Sequence, residues 1–247
     1  MVKLLYLPLL LSLSLSADPL YSFKSLSINY LDWTKSTEKK TAHKDFTYLK
    51  IDGGFGYEWI DFFGYISLEN PTKSYYQEFP NNRRYVGFAD IDIEIKNNFK
   101  LHIQDFYARS EAFSVNDFVV GFAYRYQNSS GFWIKPFLGL HFTNDTYFDG
   151  LNGFMGGWTF HLPWKLGDQK FALFQWNEIE FARDKKFYQH QGSPIGDSKS
   201  YGLNGAMSFW WYISDATCTG LEYRYAKHKL GSIEYQEAFV YNLKYYF

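Results

Sequence analysis

In the segment Arg84 to Lys96, RYVGFADIDIEIK, Ile91, Ile93 and Ile95 alternate with Asp90, Asp92 and Glu94. Alternation of period two builds a strand with two unlike faces, here one apolar and one charged. In the core of a soluble sandwich the charged face would bury three carboxylates at prohibitive cost. A membrane barrel removes that cost by turning the apolar face to lipid and the charged face to a wet lumen.

The pattern recurs from residue 20 onward as twelve segments, at 22–33, 46–59, 61–70, 84–96, 99–109, 117–127, 132–142, 153–164, 170–182, 200–213, 218–230 and 233–247. Long polar breaks (34–45, 71–83, 110–116, 143–152 and 183–199) alternate with short ones such as Asn97-Asn98, 128–131, 165–169 and 214–217, and the last break on the long side has only two residues. An even strand count with short turns at one end and long loops at the other is the build of outer-membrane barrels. The expected fold is therefore all-β, a single transmembrane antiparallel β-barrel of twelve strands over residues 17–247 in the bacterial outer membrane. Composition agrees: 22% of residues are aromatic, with 25 Phe, 22 Tyr and 8 Trp to supply interfacial girdles. Mean hydropathy is -0.35, and beyond residue 17 there is no apolar run of the roughly 18 residues that a spanning helix needs.

Where alternation is clean it assigns faces. Phe118, Val120, Phe122, Tyr124 and Tyr126 face lipid, as do Phe132, Ile134, Pro136, Leu138, Leu140 and Phe142. The charged residues assigned inward are Lys50, Lys100, Arg125, Lys135, Arg224 and Lys244 against Asp52, Glu58, Asp61, Glu69, Asp90, Asp92, Glu94 and Glu222. In KFALFQWNEIEFA the parity switches between Trp176 and Ile179, which predicts a bulge or a slipped register there. The closing segment, EYQEAFVYNLKYYF, sets Tyr235, Phe239, Tyr241, Leu243, Tyr245 and Phe247 on one face, broken by Glu237. It reads as the stave that pairs with the first strand and as the signal for barrel-assembly machinery.

Residues 1–16 have the form of a secretory signal peptide: Lys3, an apolar core from Leu4 to Leu11, then small residues at Ser14 and Ser16. Cys218 is the only cysteine, so an intramolecular disulfide and a multi-thiolate zinc site are excluded. A formal net charge of -1 gives no basic footprint for nucleic acid. The expected partners are outer-membrane lipids and lipopolysaccharide, the latter through lysine-rich loops such as Lys35 to Lys44.

Asp90-x-Asp92-x-Glu94 could hold a metal or work as an acid or base, but barrel proteases add an Asp-x-His pair, and none occurs here. A barrel lipase needs a serine beside a histidine and an orienting group; His102, His141 and His161 lack matching serine company. A polar lumen wall explains these residues more simply, and no cofactor is expected. The remaining reading is a passive channel, not an enzyme, with a barrel hydrolase or a non-conducting adhesin as the alternatives. Mixed lumen charge suits an uncharged or weakly charged solute. Phe63, Tyr65 and Phe88 are inward rings on which a base or a sugar can stack at about 1–3 kcal/mol each.

The run Trp59-Ile60-Asp61-Phe62-Phe63-Gly64-Tyr65, preceded by Gly56-Tyr57-Glu58, resembles the W-x-D-F-x-G-Y turn and strand of the Tsx-like nucleoside-specific channels. The likeness extends more faintly through Tyr85 to Asn98 and into the last strand. It implies a narrow monomeric barrel that passes nucleosides by diffusion, with inward aromatics on the base and polar residues on the ribose. Asp61, Phe63 and Tyr65 then lie on the inner wall, and Asp52 matches an acidic position on the preceding strand. With Phe88 and Asp90 from the next strand, these form the candidate substrate-binding set. Two departures stand out: Phe63 occupies a position where tyrosine is usual, and Leu31-Asp32-Trp33 lacks an expected Arg-Phe pair.

Overall fold

The computed structural model describes residues 18–78, 80–189 and 199–247; the signal-peptide segment 1–16 lies outside them. Twelve strands follow in order: β1 (Tyr21–Trp33), β2 (Phe46–Gly56), β3 (Ile60–Glu69), β4 (Arg84–Lys96), β5 (Phe99–Arg109), β6 (Ser114–Tyr124, resuming at Tyr126–Gln127), β7 (Trp133–Asp145), β8 (Asp149–Leu166), β9 (Gln169–Phe181), β10 (Tyr201–Tyr212), β11 (Thr217–Lys229) and β12 (Ser232–Tyr246). Each pairs antiparallel with its sequence neighbours, and β12 pairs with β1 from Ser25 opposite Tyr246 to Trp33 opposite Ala238, so the sheet closes. Closure leaves no open sheet edge in lipid.

Alternation sets the two faces. Along β12, Tyr235, Phe239, Tyr241, Leu243 and Tyr245 are exposed, while Ala238, Val240, Asn242 and Lys244 are buried. The assigned lipid faces of β6 and β7 hold as well, with Phe122 and Leu138 exposed and Val119, Ala123 and Phe137 buried behind them. Where the two strands meet, Gly121 faces Gly139, and a Cβ on Gly121 would lie 2.3 Å from the Gly139 Cα. Only glycine fits such an approach. The Asn97-Asn98 turn puts both residues at positive φ (54° and 66°), a conformation asparagine tolerates better than most residues.

Four expectations change. β9 has no bulge: its pairing with β8 and β10 is continuous, so Trp176, Glu178 and Glu180 share the inner face and Ile179 the outer. The misleading residues are Gln175 and Asn177, polar yet outward, whose side chains bond Trp158 and Tyr225 and so need no water. The register shifts lie at Glu94/Lys96, Leu140/Phe142 and Lys227/Lys229. Glu58 sits exposed in the turn between β2 and β3 rather than on the wall. The breaks at 110–116 and 143–152 shrink, because β6, β7 and β8 extend through their polar residues, and the longer connectors are 34–45, 70–83 and 182–200.

Candidate functional site

The lumen has two unlike halves. From β3 round to β9, long charged side chains cross the interior and neutralise one another. Lys135 reaches from β7 to β4, its Nζ 2.7 Å from Asp90 and 2.5 Å from Asp92, and His102 Nδ1 lies 2.8 Å from Asp92. Asp61 accepts from Lys100, from Arg125 at 3.2 Å and from the Tyr21 hydroxyl at 3.1 Å. Gln104 on β5 donates to Glu178 on β9 at 2.7 Å, and Glu180 holds Arg183 and Lys229. Asp92, His102, Gln104, His141 and Glu180 are all buried, so this half is filled.

The other half, from β10 through β12 and β1 to β4, is lined by half-buried rings. Phe23 stacks with Phe63 at 6.3 Å, Phe63 meets Phe88 at 6.1 Å, and Tyr65 lies against Phe88 at 5.4 Å with the planes only 16° apart. Tyr246 closes the row on Phe23 at 6.4 Å. Cations sit over several rings: Lys50 over Tyr65 at 5.4 Å, Lys244 over Trp210 at 5.0 Å and Arg224 over Trp176 at 5.8 Å. This wall can hold a flat ring by stacking and cation–π attraction without enclosing it.

Phe63, Tyr65 and Phe88 thus come together as one continuous surface. Asp52, Asp61 and Asp90 all lie on the inner wall but apart from one another, and each is engaged with a cation: Asp52 with Lys244 at 2.8 Å, Asp61 with Lys100 and Arg125, Asp90 with Lys135. Sequence reading did not single out Phe23, Trp176, Trp210 and Tyr246. For Trp176 the usable signal was the even parity running from Ala172 to Glu180, masked by the polar outer face of β9.

Among the described residues two clusters have metal-ligand character, Asp90/Asp92/His102 and Asp117/His141/Glu180. In the first Lys135 supplies the positive charge between the carboxylates, and in the second Lys229 and Arg183 neutralise Glu180. Both read as internal ion-pair networks.

A closed barrel with an apolar outer belt and a polar interior defines a bacterial outer-membrane barrel protein. The NanC porin aligns with it over 89% of this chain and 98% of that one, with a TM-score of 0.52 at 7% identity. An outer membrane channel from Pseudomonas putida F1 aligns over 93% and 96%, with a TM-score of 0.45 at 9% identity. The translocator domain of the autotransporter NalP from Neisseria meningitidis aligns over 95% and 91%, with a TM-score of 0.46 at 11% identity. The likeness to the NanC porin concerns the fold alone. The family follows from sequence: residues 28–247 match the model of the nucleoside-specific channel-forming protein, Tsx, and the chain belongs to that family.

Proposed function

We propose that nucleosides diffuse through the open half of the lumen, the base sliding along Phe63, Tyr65 and Phe88 while the ribose meets the polar groups beside them. The near-parallel, half-buried pair of Tyr65 and Phe88 carries this reading. The acidic residues act at one remove, with Asp52 fixing Lys244, Asp61 fixing Lys100 and Arg125, and Asp90 fixing Lys135. Transport requires weak binding, since a channel has to release what it holds.

An arrangement around His141 that could suggest hydrolysis is compatible with the same view. The Thr143 hydroxyl (3.2 Å) and Asp117 (3.0 Å) both meet His141 at Nε2, while Glu180 stands 4.0 Å from Nδ1, beyond the hydrogen bond that a nucleophile relay needs at that nitrogen. We read the barrel as a channel without enzymatic chemistry.

In planar bilayers, adenosine is expected to reduce the conductance of the wild-type barrel in a saturable way. Replacing Tyr65 by Ala removes one platform, about 1–3 kcal/mol, and should raise the half-blocking concentration roughly 5- to 150-fold. An unchanged block in Y65A and F63A would remove these rings from the path.

A further inference from the structure

The inner wall carries two cations that are not matched like the rest. Lys100, Arg125, Lys135, Lys229 and Lys244 each make a hydrogen-bonded contact with a carboxylate. Lys50 comes no closer than 3.9 Å to Asp52, whose oxygens are taken by Lys244 and Ser25. Arg224 comes no closer than 3.8 Å to Glu222, which accepts instead from the Ser208 hydroxyl at 2.7 Å. Both keep side-chain surface open, 21% for Lys50 and 32% for Arg224. Counting Lys50, Lys244 and Arg224 against Asp52 and Glu222 leaves one positive charge over (three minus two). Lys50 and Arg224 feel one another and share Glu222, and Tyr65 lies under Lys50 and within electrostatic reach of Arg224.

We propose that Lys50 and Arg224 form an anion subsite beside the Tyr65 platform, and that it takes the phosphate of a nucleoside monophosphate whose base stacks on Tyr65 and Phe88. The inference rests on the proposed base platform and extends it to a charged solute. A phosphomonoester carries about -1.5 to -2 charge near neutral pH and has three acceptor oxygens. The Arg224 fork can bind two of them and the Lys50 ammonium supplies a point charge, a combination suited to phosphate. Because Glu222 and Asp52 stay nearby, the site attracts the anion without trapping it.

The test compares block of bilayer conductance by adenosine, adenosine 5′-monophosphate and inorganic phosphate, for the wild type, K50Q/R224Q and the milder R224K, each first shown to give the heat-modifiable folded band. The monophosphate should block at about tenfold lower concentration than adenosine, and in K50Q/R224Q the ratio of the two half-blocking concentrations should fall to about one, whatever the change in adenosine block itself. Adenosine block with an equal or weaker effect of the monophosphate would overturn the subsite and leave the nucleoside reading intact. Block by the monophosphate and by phosphate without adenosine block would support the subsite and remove the base platform. A wild type indifferent to all three solutes would overturn both.

Discussion

Lys135 lies between Asp90 and Asp92, with the Asp92 side chain only 1% exposed, and the three form one unit with His102. A buried pair is costly to break from one side, because the remaining charge keeps its desolvation penalty and loses its partner. K135M leaves two carboxylates facing each other and is expected to cost about 3–5 kcal/mol, seen as a lower urea midpoint in lipid vesicles. The triple change K135M/D90N/D92N should recover much of that loss. If K135M unfolds at the wild-type urea concentration, the network contributes nothing to stability. Alternation along β4 and β7 makes the inward placement of all three residues legible. Their partnership is not, because it depends on a side chain crossing the lumen between residues more than 40 positions apart.

The connector 34–45 folds back onto the barrel rim. Its helix α1 (Lys35–Lys40) is capped by the Thr34 side chain, and Thr37 both donates to the Glu237 carbonyl and accepts from the Glu237 amide. His43 stacks on Trp33 at 4.4 Å and its Nε2 lies 2.5 Å from the side-chain Oε1 of Gln236. Burial holds the His43 imidazole below its ordinary value of 6.5, against a smaller opposing effect of the Gln236 bond. The folded state therefore binds this proton more weakly than the free chain does. The contribution of His43 to docking of the connector is fully present above pH 6.5 and is lost as pH falls through its lowered folded-state value. Amide hydrogen exchange at Glu38 and Thr41, corrected for intrinsic rates, should show less protection at pH 5 than at pH 7.5, and H43N should remove the difference. Equal protection at both values in the wild type would exclude His43 as the cause. In the sequence this segment is only a lysine-rich break, since its docking depends on contacts with β12 nearly 200 residues away. β9 shows the converse case, where polar residues that bond one another on the lipid face imitate a change of parity.

The strand count, the closure of β12 on β1 and the polar lumen all follow from period-two alternation, which acts locally and can be read in one dimension. The division of the lumen into a filled and an open half cannot be read that way, because it depends on which long side chains meet across the barrel. The balance of charge on the two sides bears on the conduction to be expected. On the filled side, Lys100, Arg125, Lys135, Arg183 and Lys229 stand against Asp61, Asp90, Asp92, Asp117, Glu178 and Glu180, five against six, so this side adds little net field. On the other side, Lys50, Lys244 and Arg224 outnumber the nearby Asp52 and Glu222 by one. A wall so nearly balanced discriminates poorly by charge, and its small bias is toward anions. In a potassium chloride gradient the reversal potential should stay close to zero, with the two permeabilities within about threefold of each other, under ~1 kcal/mol of selectivity. K50Q/R224Q leaves Lys244 alone against Asp52 and Glu222 and should move the reversal potential toward that of potassium. Low ionic strength should enlarge this shift, since screening over about 10 Å at 0.1 M hides part of it. A variant whose reversal potential matches the wild type at every salt concentration would mean that ions do not pass Lys50 and Arg224, and that conduction runs through the half filled by Lys135 and His102.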